Sequence, residues 1–170
     1  IPERAIYRGL RDTFWPGRFQ VLAVKPYFIA DGAHNADAAK RLAGTIRFYF
    51  TNKRIIYIIG MLRDKEQDEV LRETCPLAEQ VLTISTRGER GLSAYDLACT
   101  ARKYHENVTA ADSVEEAVEL AYLLADEKAV IIAFGSLSYL GRLIKTVEKI
   151  SAKKAGNRVR RDSHGKQSKN

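Results

Sequence analysis

The runs "RIIYIIGM" (Arg54 to Met61) and "AVIIAFGS" (Ala129 to Ser136) are apolar at consecutive positions, with little polar alternation between them. A strand with one wet face alternates apolar and polar residues. A strand that does not alternate is covered on both faces, as in parallel sheets. "QVLTIS" and the short "NVTAA" are further strand candidates, and "FQVLAV" and "YFIAD" are separated only by Lys25-Pro26, which predicts a hairpin or two consecutive strands. Between the runs lie helix patterns. Ala36 to Phe50 puts Ala39, Leu42, Ala43 and Ile46 on one stripe, Asp64 to Cys75 carries Val70 and Leu71, and Leu137 to Ile150 carries Leu140, Leu143, Ile144 and Val147. Ser93-x-x-Asp96 and Ser113-x-x-Glu116 read as helix starts of the capping-box type. Strand and helix in alternation require crossover connections. The expected architecture is therefore an α/β doubly wound, mostly parallel sheet flanked by helices.

With 170 residues the chain has room for one ordinary domain. Its composition, 45% hydrophobic and 29% charged, is that of a soluble globular protein, so disorder and membrane classes fall away. The N-terminus "IPERAIYRGL" has no apolar signal core, and the expected location is cytoplasmic. Cys75 and Cys99 fall in helical patterns with no His or Cys cluster around them, and read as two buried thiols rather than a disulfide or zinc site. The net charge of +7 invites a nucleic-acid reading until it is located. Residues 151–170 carry seven cations against Asp162 alone, which leaves residues 1–150 near neutral. That segment lacks apolar periodicity and reads as a basic, disordered, solubilising tail. Neither nucleic acid nor a membrane is expected as a partner.

In doubly wound sheets ligands bind beyond the carboxyl ends of the strands. Those ends carry "ADGAHN", "GMLRDKE", "STRGERG" and "FGSLSYLG". No phosphate-binding Gly-x-x-x-x-Gly-Lys-Ser/Thr or Gly-x-Gly-x-x-Gly follows a strand, the three histidines are far apart in sequence, and no Gly-x-Ser-x-Gly elbow is present. Asp31 at a strand end can accept the hydroxyls of a ribose; equally, Asp31-Gly32 is an ordinary turn pair with Asn35 as a helix cap. His34 and Asn35 at a helix start offer donors to an anion, or serve the cap. Arg18 carries a guanidinium fork suited to phosphate, and Lys65 a point charge; each is also an ordinary surface cation. Residue chemistry by itself leaves these alternatives open.

The segments in this order, "WPGRFQV" (15–21), "DGAHN" (31–35), "GMLRDKE" (60–66), "RGLSAYDLA" (90–98) and "GSLSYLG" (135–141), resemble the C-terminal domain of folylpolyglutamate synthase and dihydrofolate synthase, within the Mur ligase superfamily. The resemblance implies a Rossmann-like Mur ligase C-terminal fold over residues 1–150. It also implies a part in joining L-glutamate to a folate or dihydropteroate carboxylate through an acyl phosphate at the expense of ATP. On the same ground Arg18 and Asp31 would contact the nucleotide, and His34, Lys65 and Ser136 the incoming glutamate. No catalytic residue is expected in this chain. Mg2+ ligands and the phosphate cradle would belong to an N-terminal ATPase domain, which is then a partner, and the chain would not be competent alone. Two positions depart from the family pattern: Ala36 stands where Pro is usual, and Glu66 where Asp is usual. The competing expectations are a free-standing nucleotide-binding or interaction module, and a cell-wall precursor ligase of the same superfamily.

Overall fold

The computed structural model describes residues 2–13 and 15–165, and the side chains of these except residues 10, 11 and 154–165. Six strands form one sheet in the order β1-β2-β6-β3-β4-β5. They are β1 (Gln20–Val24), β2 (Tyr27–Ala30), β3 (Ile55–Ile59), β4 (Gln80–Thr83), β5 (Val108–Ala110) and β6 (Val130–Phe134). β1 pairs antiparallel with β2 as the expected hairpin, and every other pairing is parallel. All residues of β3 and β6 are buried, as their unbroken apolar runs require.

The period of two distributes these strands between two cores. Ile55, Tyr57 and Ile59 of β3 pack with Leu42 and Ile46 of α2 (Ala36–Tyr49), Val70 and Leu71 of α3 (Gln67–Thr74), and Leu97 and Ala101 of α4 (Ala94–Ala101). Ile56 and Ile58 face the other way, against Ala117, Val118 and Ala121 of α5 (Val114–Leu124) and Leu140, Leu143 and Val147 of α6 (Leu137–Gly165). Each fully buried Ile or Leu contributes about 1.5 to 3 kcal/mol. α2, α3 and α4 cover one face, and the return from the far edge through α5 into β6 uses the other. Connections after β2 and β3 therefore leave β6's neighbours towards one face while β6 itself leads to the opposite one. A crevice opens at that switch.

Caps follow the sequence pattern. Asn35, Ser93 and Ser113 accept from Ala38, Asp96 and Glu116 N–H at 2.9, 3.0 and 3.1 Å. Glu116 reaches back to the N–H of Asp112 at 2.6 Å, one residue before the usual capping-box partner.

Several elements depart from expectation. α3 begins at Gln67 rather than Asp64, because residues 62–65 form a turn: the Lys65 N–H donates to Leu62 O at 3.3 Å and the Arg63 N–H to Arg90 O at 2.9 Å. α1 (Glu3–Asp12) occupies a stretch to which the sequence assigned no element. α6 continues to Gly165, through most of the basic segment; the remaining residues of that segment, 166–170, lie outside the described residues. Cys75 is buried as expected, and burial pushes its thiol up to about 12. Cys99 is exposed, a correction, because α4 turns Leu97, Ala98 and Ala101 inward and residue 99 lies away from that stripe.

Tyr57 packs edge-on against Phe134 with ring centroids 5.1 Å apart, and its buried hydroxyl has no hydrogen-bond partner among the described residues. Burial pushes the phenol far above its ordinary range, so it stays neutral. An unpaired buried hydroxyl costs about 1 to 3 kcal/mol. Tyr57→Phe is accordingly expected to hold or raise the thermal midpoint, read by calorimetry; a clear fall would mean that the hydroxyl does have a partner.

Candidate functional site

The ends of β2, β6 and β3 lie side by side, and each continues into a turn that carries polar residues. After β2, the Asp31 N–H extends the β2–β6 ladder by donating to Ala133 O at 2.9 Å. The Asp31 carboxylate then organises two segments. Oδ1 accepts the Ala33 N–H at 2.8 Å within its own turn, and Oδ2 accepts the Phe19 N–H, also at 2.8 Å, from the segment before β1. Phe19 has φ +44°, in the left-handed region that a non-glycine residue rarely takes. The carboxylate holds its backbone there, and stacking on Phe50 holds its ring. Each oxygen keeps a second lone pair, so the turn role and a ligand role are compatible.

The neighbouring Arg18 folds over Gly32, where a Cβ would run into Arg18 Nη1. A side chain at 32 would displace the Arg18 guanidinium and the tip of Leu137. His34 donates from Nδ1 to Gly32 O at 2.7 Å; a carbonyl can only accept, so Nδ1 bears the proton and Nε2 is the nitrogen open to a ligand. Asn35 is the helix cap through its side-chain oxygen, so any contact of its side chain with an anion falls to its amide N–H groups. Glu66 accepts the Ala36 N–H at 3.2 Å and so joins the start of α2 to the turn that carries Lys65.

After β6, Gly135 has φ +109°, and a Cβ there would lie 2.6 Å from Gly60 O. This close approach brings the β6 and β3 turns together. Tyr139 Oη, fully buried, donates to Phe134 O at 2.6 Å and lies 3.2 Å from Ile58 O, bracing both strand ends from beneath. Ser136 is buried, accepts the Ser138 N–H at 3.2 Å, and shares a hydrogen bond with Ser138 Oγ at 2.9 Å.

Two open depressions result. One, of about 640 Å³, is lined by Arg18, Phe19, Asp31, His34 and the α2 residues Asp37, Arg41 and Thr45, among others. The second, of about 250 Å³, is lined by His34, Leu62, Lys65, Gly135, Ser136, Leu137 and Ser138. Arg18 and Asp31 thus fall in the first, Lys65 and Ser136 in the second, and His34 lies in the wall of both. Lys65 has no ion pair among the described residues. Ser138, two residues beyond Ser136 in "GSLSYLG", and Arg41 of α2 also reach these depressions. Sequence reasoning missed both, although the Ser-x-Ser spacing lies within a motif already singled out. Among the described residues no three His, Cys, Asp or Glu side chains gather as a metal site, and no helix is long and apolar enough to cross a membrane.

Residues 17–137 match the family model described as Mur ligase, glutamate ligase domain. The chain is 31% identical over 139 residues to a Haloferax volcanii protein named probable bifunctional folylpolyglutamate synthase/dihydropteroate synthase, covering 81% of this chain and 16% of that protein. It is 29% identical over 148 residues to the Escherichia coli dihydrofolate synthase/folylpolyglutamate synthase, covering 87% of this chain and 34% of the relative. The structure of E. coli FolC in complex with ADP, without folate substrate, superposes with a TM-score of 0.77 at 29% identity, over 91% of this chain and 36% of that one. The chain therefore spans about a third or less of the length of these relatives.

Proposed function

The chain belongs to the Mur ligase family, in its glutamate ligase domain, and from that premise we propose that it is the C-terminal part of an ATP-dependent ligase that adds L-glutamate to a folate or dihydropteroate carboxylate. The observation that carries this reading is the pair of adjoining depressions with His34 in their common wall. A ligase of this kind must hold a nucleotide and an amino acid next to each other. The larger depression suits the nucleotide, with the Arg18 guanidinium for phosphate oxygens and the Asp31 carboxylate for ribose hydroxyls.

The smaller depression suits glutamate. Lys65 supplies a positive charge for a carboxylate, Ser136 a hydroxyl, and His34 Nε2 a lone pair or, when protonated, a further donor. Fixing both carboxylates of glutamate leaves its amine as the free end, oriented towards an activated acyl group. In this reading a divalent ion and the phosphate cradle belong to the remainder of such an enzyme. Residues 1–150 are then the functional domain and 151–170 a basic extension, and the chain alone releases no ADP from ATP in the presence of a folate and glutamate.

The assignment is tested by following backbone amides during titration with ADP and, separately, with L-glutamate. ADP is expected to move the amides around Arg18 and Asp31, and glutamate those around Lys65 and Ser136. Loss of a charge-assisted contact costs about 1.5 to 3 kcal/mol, so Lys65→Ala should weaken glutamate about tenfold or more and leave ADP unchanged. Equal losses for both ligands would overturn the division into two subsites.

A further inference from the structure

The arginines that reach carboxylates on this surface contrast with those of the larger depression. Arg54 is paired with Glu79 and with Asp126 at 3.2 Å, Arg90 with Asp64 at 3.2 Å, and Arg142 with Glu115 at 2.6 Å. Arg18 and Arg41 line one depression, and neither has a carboxylate partner among the described residues. Asp37 stands one turn before Arg41 on α2, the spacing of a helical ion pair, yet no such pair forms.

The placement of Arg41 is also selective. α2 carries three cations, Lys40, Arg41 and Arg47, and of these only Arg41 lines the depression, beside Ala38, Leu42 and Thr45 of the same helical stripe. The depression therefore receives a guanidinium from the segment before β1 and a second from α2, with the ribose-accepting candidate Asp31 in the same wall. A diphosphate carries more charge than one guanidinium neutralises, and its oxygens accept forked N–H pairs.

We propose that Arg41 is a second phosphate-contacting residue of the nucleotide subsite, so that α2 and the segment before β1 each add a guanidinium to the phosphate end of a nucleoside diphosphate whose cradle lies in the remainder of the enzyme. This rests on the nucleotide reading of the larger depression and adds to it a residue that the motif alone does not mark. It also sets a requirement for the ligand: recognition here belongs to the phosphate end, and a nucleoside without phosphates gains nothing from Arg41.

The test titrates the 170-residue chain with ADP, adenosine and inorganic pyrophosphate by calorimetry or amide shifts, in the unaltered protein and in Arg41→Ala, Arg41→Lys and Arg18→Ala. Arg41 is exposed and makes no described side-chain bond, so its replacement leaves folding intact. Arg41→Ala is expected to weaken ADP about tenfold or more, with adenosine within about twofold and Arg41→Lys between the two. Pyrophosphate that binds as tightly as ADP and depends equally on Arg41 would mean a site for free phosphates, and would overturn the nucleotide as ligand. ADP affinity lost in Arg18→Ala but kept in Arg41→Ala overturns this inference and leaves the nucleotide reading standing. Absence of ADP binding by the unaltered chain overturns both.

Discussion

Gly135→Ala lowers the thermal midpoint by about 6 to 12 °C. The residue holds φ +109°, which side chains with a Cβ rarely adopt, and the new Cβ would meet Gly60 O at 2.6 Å and Met61 Cγ at 3.0 Å. Neither side can retreat easily. The Gly60 N–H donates to Phe134 O at 3.2 Å, and the Tyr139 ring lies under Gly60 so closely that a Cβ there would be 2.9 Å away. Backbone strain and overpacking together amount to about 3 kcal/mol, and a domain of this size loses about 2 to 4 °C per kcal/mol. Gly141 is the control. It lies in α6, where a Cβ would meet nothing within 4 Å, so Gly141→Ala should raise stability by up to about 1 kcal/mol. The motif "GSLSYLG" thus begins with a glycine that the structure needs and ends with one that it tolerates. Equal midpoints for Gly135→Ala and the unaltered protein, measured by calorimetry, would mean that the β3 and β6 turns are not in contact.

Asp31→Ala combines a structural loss with a binding loss. Two N–H groups from different segments lose their acceptor, at about 2 kcal/mol for a half-exposed carboxylate, or about 4 to 8 °C. Phe19 then keeps its ring contact with Phe50 but loses the bond to its backbone N–H, and Arg18, the residue before it, is less firmly stationed over Gly32. ADP binding should therefore fall through Asp31 directly and through Arg18 indirectly. The double variant Arg18→Ala/Asp31→Ala is expected to bind ADP little worse than Asp31→Ala alone, whereas independent contacts would add. Arg18→Ala by itself should leave the thermal midpoint unchanged. Full additivity in the ADP affinities, or an unaltered midpoint for Asp31→Ala, would separate the carboxylate from the segment before β1.

The layout of the sheet was readable because its signals are local. β3 and β6 announced burial on both faces through unbroken Ile, Val and Phe runs, Lys25-Pro26 marked the hairpin, and Asn35, Ser93 and Ser113 marked helix starts. What escaped depends on contacts distant in sequence. The late start of α3 follows from a bond between Arg63 and Arg90, and the exposure of Cys99 follows from which stripe of α4 meets β4. The same division holds for the site. Each of Arg18, Asp31, His34, Lys65 and Ser136 could be named from its motif, but nothing local shows that His34 stands between the other two pairs. Arg41 sits in an ordinary amphipathic stretch, where an arginine usually means only a solvated face, and no local signal singles it out.

The two residues that depart from the family pattern, Ala36 and Glu66, touch each other. Proline at 36 would carry no N–H, so the donor that Glu66 accepts from exists only because Ala36 stands there. Glutamate in place of the usual aspartate adds one methylene of reach towards that amide. Positions thirty residues apart in the chain are thereby joined by one backbone-to-side-chain bond. Ala36→Pro removes the donor and Glu66→Asp shortens the acceptor's reach, so either change alone frees the start of α2 from the turn that carries Lys65.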